Sequence, residues 1–314
     1  MMNEKFMPMV SIVIPVYNGS NYLRSAIDCA LSQDYPNFEV IVVNDGSTDG
    51  GETDTIARSY GDRIRYFVKE NGGVSSALNL ALSVMEGEYF SWLSHDDLYT
   101  PNKLTNGISL LSKFPDKIGK LISFSWGNYI DENGVVLRPF HKRLEECRPY
   151  SPEEMVEYML RYGTMNGCCM LIPKEAFDAC GDFEENLRYS QDTLMWFTFF
   201  LYGYGLVFDG NPDVMYRIHR KQTSKTRRDL FERDSLFIAD KLGPELRKTS
   251  KDNQLLYLFA KRNAVHDCPG VVARIGEEAR KIQPFSLKQN LSLKVLLAYS
   301  KVRRVLKKLQ SFFS

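Results

Sequence analysis

Short β-branched runs alternate with helical patterns through the first hundred residues, and this rhythm constrains the fold more than any other feature. Val10–Val16 is a continuous run, apolar but for Ser11, as suits a strand buried on both faces. Ser20 to Ser32 then carries apolar residues at helical spacing, with Leu23, Ile27, Ala30 and Leu31. Phe38–Val43 predicts a second buried strand, Thr48–Tyr60 a helix, Ile64–Val68 a strand, Val74–Met85 a helix and Tyr89–Leu93 a fourth strand. A βαβαβαβ order of this kind implies an α/β protein with a doubly wound, mostly parallel sheet. Ligands then bind beyond the carboxyl ends of the strands.

Three segments fall at such ends. They are Pro15-Val16-Tyr17-Asn18, Asn44-Asp45-Gly46-Ser47 and the close of "YFSWLSHDDL", where an apolar strand stops on Asp96-Asp97. Two adjacent carboxylates repel, and one of them titrates high unless a positive charge is near. A divalent cation suits them, because hard cations take oxygen ligands. A solvated turn or a helix cap suits a lone Asp-Asp pair equally well. Tyr17 has the ring to stack on a base, and Asp45 the acceptor to meet a base N–H. Each also has a plainer reading, as a loop aromatic and a turn former ahead of Gly46.

The totals exclude several classes. A net charge of +1 gives no bulk electrostatic case for nucleic acid. The six cysteines lack CxxC spacing, which argues for reduced structural thiols and against zinc. The first turn, "PVYNGSNYL", holds one glycine, so neither a GxGxxG fingerprint nor a Walker A loop is present. No basic and apolar leader precedes the first strand. The uncharged stretch Thr193 to Phe208 is short for a bilayer span and reads as a buried helix and a strand. These features predict a cytoplasmic protein.

The second part is less regular. Asp131-Glu132-Asn133-Gly134 predicts a hairpin, Ser151-Pro152-Glu153-Glu154 a helix start, "GTMNGCCMLIP" a strand and Gln191–Tyr202 a buried helix. From about Asp229 the pattern turns helical. Residues 226–314 read as a helical extension to a domain of residues 1–225, itself divided near residue 100. The tail from Leu287 to Ser314 has seven Lys/Arg and no acid. Its apolar residues Leu291, Val295, Tyr299, Val302, Leu306, Leu309 and Phe313 recur every three to four positions. Two readings stay open for this basic amphipathic helix: a helix on an anionic membrane surface, or a helix docked on the protein with a solvated basic face.

Taken in order, "VSIVIPVYNGSNYLRSAIDCALSQDYPNFEVIVVNDGSTDG", "NGGVSSALNLAL" and "GEYFSWLSHDDLYTPNKL" resemble the family 2 glycosyltransferases of the GT-A fold. The resemblance is close over the first hundred residues and looser to about residue 225. It implies inverting, metal-dependent transfer of a sugar from a nucleoside diphosphate sugar, UDP by default. It places Pro15, Tyr17, Asp45, Asn71 and Asp96 at the nucleoside, and Asp97 at Mn²⁺ or Mg²⁺ with His219 as a further ligand. Arg217, Arg220 and Lys221, in "YRIHRKQTS", fall where the diphosphate would lie. The general base maps to Asp192 of Ser190-Gln191-Asp192, where Gln191 stands in place of the family's Glu. Ser94 likewise replaces a first Asp in the metal motif.

The implied acceptor is a hydroxyl of a glycan or a polyprenyl-linked glycan in bacterial surface-polysaccharide synthesis, met at the inner face of the plasma membrane. Other classes fit less well. A sugar-nucleotide nucleotidyltransferase would show a Gly- and Lys-rich first loop. A non-catalytic nucleotide-binding scaffold would have lost the carboxylates, yet Asp45, Asp96, Asp97 and Asp192 are all present. A processive membrane synthase would need spans.

Overall fold

A computed structural model describes residues 6–140, 144, 147–219, 229–249 and 252–310. The described residues of Met1–Met155 and Met165–Lys225 form one compact unit, and those of Val156–Thr164 and Thr226–Ser314 form another.

In the first unit β1 (Val10–Val16), β2 (Phe38–Asn44), β3 (Arg65–Val68) and β4 (Tyr89–Trp92) alternate with α1 (Leu23–Leu31), α2 (Glu52–Arg58) and α3 (Val74–Val84). All four strands pair in parallel, with β1 between β2 and β4. Every residue of β1 is buried, Ser11 included, as a strand covered on both faces requires. The helix expected over Thr48–Tyr60 is shorter, because Asp49, Gly50 and Gly51 form its entry. Asp49 Oδ2 accepts from Thr53 N–H at 3.2 Å and from the Thr53 hydroxyl at 2.5 Å.

Next come β5 (Leu98–Tyr99), α4 (Lys103–Leu111), β6 (Leu121–Phe124), β7 (Gly127–Ile130), β8 (Val136–Pro139) and β9 (Pro149–Tyr150). They are followed by α5 (Pro152–Tyr162), β10 (Met170–Pro173), α6 (Lys174–Cys180), α7 (Gln191–Leu201), β11 (Gly205–Phe208) and β12 (Val214–Arg217). Among the described residues the main sheet runs β3-β2-β1-β4-β10-β6-β11-β9, with β10 antiparallel to both neighbours. A second sheet runs β5-β12-β7-β8. The expected hairpin is the β7–β8 turn, where Asp131 Oδ1 accepts from the N–H groups of Asn133 and Val135. Ser151 and Glu154 close a reciprocal capping box at the head of α5.

The architecture is therefore a mixed α/β sheet flanked by helices, mostly parallel in its first half. Its consequence for function lies at the strand ends. β1, β2 and β4 all point their carboxyl ends the same way, and β12 pairs its first residues, Val214 and Met215, with β5, directly after the Asp96-Asp97 turn.

The second unit holds α8 (Asp229–Thr249), α9 (Gln254–Val265), α10 (Pro269–Arg280) and α11 (Leu287–Gln310). Leu256, Phe259, Val271 and Ile275 are among its buried residues. No helix among the described residues is long and apolar enough to cross a membrane.

Candidate active site

The loops after β1 and β2 are laced together. Asn18 takes a positive φ of 50°, tolerable for Asn. Its side chain accepts from Thr48 N–H at 2.7 Å, and its N–H donates to the Ser47 hydroxyl at 2.9 Å. Tyr17, directly after β1, is 46% exposed. Pro15 is buried in β1 opposite Val43. Gly19 must be glycine, because a Cβ there would lie 2.4 Å from the His95 ring and 2.5 Å from Val16. The close approach packs this first loop against the turn that carries the two carboxylates.

Asp45 and Asn71, both expected at the nucleoside, meet in one knot. The buried carboxylate of Asp45 accepts from Gly72 N–H at 2.9 Å, Gly73 N–H at 2.7 Å and Lys69 Nζ at 2.9 Å. Asn71 Nδ2 donates to the Asp45 carbonyl at 3.0 Å. Gly46, at φ +68°, permits the turn, since a Cβ there would lie 2.7 Å from Asn71 N. The sequence reading missed Lys69, although its place just past β3, two residues before Asn71, was the available signal.

The knot reaches the segment that carries Asp192. Asn79 of α3 exchanges hydrogen bonds with the backbone of Phe183, and the Ser75 hydroxyl donates to the Glu184 carbonyl. Arg188 donates to the Gly72 carbonyl. Asp192 then sits in the first turn of α7, where Oδ1 accepts from Thr193 N–H at 2.7 Å. Gln191, in place of the family's Glu, is buried, and its Oε1 has no partner among the described residues.

The Asp96-Asp97 turn separates its two carboxylates. Asp97 is 2% exposed and faces inward. Its Oδ1 accepts from Arg217 N–H at 2.9 Å, and its Oδ2 accepts from Cys168 Sγ at 3.5 Å. Burial, and then the charge of Asp96, push its carboxyl well above the ordinary carboxylate range. Asp96 instead meets His219, with Oδ2 2.8 Å from Nε2. The neighbouring His95 is held below its ordinary value by burial.

Arg217 is buried at the end of β12. Its Nε donates to the Asp96 carbonyl at 2.8 Å, and one Nη donates to the carbonyls of Asp131 and Glu132. The guanidinium lies over the Tyr22 ring at 4.6 Å, and that ring is 5.4 Å from His219. Arg217, expected at the diphosphate, thus clamps three backbone carbonyls. Arg220 and Lys221 lie outside the described residues. Tyr22 and Cys168 were not legible as site residues, because nothing in their local pattern marks them.

Residues 11–181 match the Glycosyl transferase family 2 profile, and the chain belongs to that family. It is 47% identical over 220 residues to an uncharacterized glycosyltransferase of Rickettsia bellii, a match that covers 70% of this chain and 31% of that protein. The chain thus spans about a third of that relative's length. Among solved structures it is similar to residues 1–349 of S. aureus TarS in complex with UDP-GlcNAc, with a TM-score of 0.61 at 17% identity, over 94% of this chain and 91% of that one. It is also similar to the mannosyltransferase PcManGT of Pyrobaculum calidifontis, bound to GDP-Man and Mn²⁺, with a TM-score of 0.52 at 19% identity, over 99% and 86% of the two chains. These two likenesses bear on the fold, which is that of the GT-A glycosyltransferases.

Proposed function

We propose that this glycosyltransferase moves a sugar from a nucleoside diphosphate sugar, UDP-linked by default, to a hydroxyl of a glycan or lipid-linked glycan, with inversion and with a divalent cation. The observation that carries the reading is the Asp96–His219 pair, which follows the ends of β4 and β12, while the Asp45–Asn71 knot follows β2, which runs parallel to β4 in the same sheet. Tyr17, exposed at the end of β1, supplies a face for the base, and Pro15 shapes the strand beneath it. The UDP-GlcNAc complex of TarS and the GDP-Man and Mn²⁺ complex of PcManGT support a nucleotide-sugar donor.

The residues fit a hard cation. One carboxylate, with an imidazole beside it, leaves most coordination positions for phosphate oxygens and water, and it is these oxygen donors that suit Mg²⁺ and Mn²⁺. Asp96 and His219 would hold the ion, which reverses the expected order. An inward carboxylate that already accepts from Arg217 and Cys168 is poorly placed as a ligand, so Asp97 instead fixes the turn. Such an ion, when bound, neutralises charge on the leaving diphosphate.

The chain's own residues do the rest. Asp192 takes the proton of the acceptor hydroxyl as its oxygen attacks the anomeric carbon, and the carbon–oxygen bond to the diphosphate breaks on the opposite face. The α3–Phe183–Arg188 ties hold the donor loop and the base in one frame, which supplies the orientation that a single displacement needs. The test is hydrolysis of a panel of nucleotide sugars with Mn²⁺, with Mg²⁺ and with EDTA. Metal-dependent release of one nucleoside diphosphate is expected. Saturable binding of no donor would overturn the reading in favour of a scaffold, and formation of nucleoside triphosphate and sugar 1-phosphate only when pyrophosphate is added would favour a nucleotidyltransferase.

A further inference from the structure

The last helix has two apolar sides, and only one of them is used. On its docked side Leu293 is buried, and the Ser300 hydroxyl donates to the Val265 carbonyl at 2.9 Å. Gln289 Nε2 donates to Asn253 at 3.2 Å, and Arg304 pairs with Asp267 at 2.7 Å. These contacts pin α11 to the rest of its own unit.

At about 100° per residue, Leu287, Leu291, Val295, Tyr299, Val302 and Leu306 fall within roughly a third of a turn, opposite Leu293 and Ser300. All six are exposed, from 55% to 91%. A helix that merely docks on its domain turns a polar back to water, so an outward stripe this long marks an interaction surface. The side chains of Leu309 and Phe313 lie outside the described residues.

The charges choose the occupant. Lys294 and Lys301 border the stripe on one side and Arg303 on the other, with Lys288 near its start. All four are exposed, and none forms an ion pair among the described residues. No Asp or Glu occurs between Leu287 and Gln310. Two such helices face to face would set cation against cation with no acid of α11 to offset them. An anionic lipid surface offers both the apolar layer and the negative charge. We propose that this face of α11 lies on an anionic membrane surface, with the stripe at the acyl–headgroup boundary and the Lys and Arg side chains among the phosphates. Of the two readings open in the sequence, the outward apolar stripe favours the membrane surface. The inference rests on α11 alone and not on the assignment of the catalytic residues.

The test is flotation of the full chain with phosphatidylglycerol–phosphatidylcholine vesicles and with phosphatidylcholine vesicles. The wild type should bind the anionic vesicles at least tenfold more tightly, and less so as salt rises. Leu291→Glu/Val295→Glu should lose at least tenfold. Lys294→Gln/Lys301→Gln should lose roughly fivefold per charge. Both variants alter exposed positions, so unchanged circular dichroism and unchanged donor hydrolysis in vesicle-free solution confirm that each is folded. A folded wild type left unbound by anionic vesicles overturns the proposal, as does a stripe variant that binds like wild type. Self-association abolished by the stripe variant, without vesicle binding, overturns it in favour of a second copy.

Discussion

His219 Nε2 lies 2.8 Å from Asp96 Oδ2, which joins residues 123 positions apart across the ends of β4 and β12. The contact exists because β12 pairs with β5 immediately after the Asp96-Asp97 turn. Tyr22 packs on the His219 ring and beneath Arg217, so the pair is held from two sides.

This pairing predicts different outcomes for the two adjacent carboxylates. Asp96→Asn and His219→Ala should each raise the Mn²⁺ concentration needed for donor hydrolysis by at least about tenfold, as loss of a metal-orienting group commonly does. The double variant should fall short of the summed effects, because the two residues act together. Asp97→Asn should leave the Mn²⁺ requirement near wild type, since Asn keeps an oxygen for Arg217 N–H. Metal titrations of the four proteins check this, and the opposite ranking would return the ligand role to Asp97.

Arg217→Lys should destabilise the fold by about 2–3 kcal/mol despite keeping the charge. A planar guanidinium serves the Asp96, Asp131 and Glu132 carbonyls at once, and a single ammonium cannot. Urea unfolding measures the loss. A stability change within error, paired with a large rise in donor KM, would instead restore Arg217 to the diphosphate.

Much of the donor half was legible because parallel strands buried on both faces write themselves as mostly apolar, β-branched runs. β1 and β2 are such runs, broken by Ser11 and Glu39, and Asp45, Asn71, Asp96 and His219 sit where the loops must follow. What escaped was long-range pairing. Asp96 and Asp97 are neighbours of the same type, and only the register of β12 turns one toward His219 and the other toward Arg217 N–H. The antiparallel insertion of β10, and the Cys168 contact that follows from it, are likewise products of strand order rather than of any local pattern.

Acid should loosen the first sheet through Glu39. Burial pushes its carboxyl up, but the Ser11 hydroxyl, Glu86 N–H and Arg65 together hold it below its ordinary value. Its folded value is therefore lower than its unfolded one. The stabilisation is present above about pH 4.3, the unfolded value, and is lost as pH falls through the folded value. Glu39→Gln should be less stable than wild type at pH 7, with a gap that narrows below about pH 4. Thermal melts across pH 3 to 7 read this, and a gap that widens in acid would refute it.

Asp192→Asn separates the base from the helix cap. Asn retains an Oδ1 that can accept from Thr193 N–H, so α7 should still start where it does. The variant removes only a negative charge near a helix N-terminus, which contributes typically 0.3–1 kcal/mol. A residue that merely favours the helix dipole would therefore cost that much stability and leave turnover intact. A general base predicts the reverse: nucleotide affinity and melting temperature close to wild type, with transfer to an acceptor hydroxyl reduced by about 10²–10⁴-fold. Single-turnover transfer at saturating donor, read beside nucleotide binding on the same preparation, distinguishes the two. Retention of most of the transfer rate would move the base elsewhere. Arg188→Ala, which cuts the tie to Gly72, should disturb donor binding and transfer together, unlike Asp192→Asn.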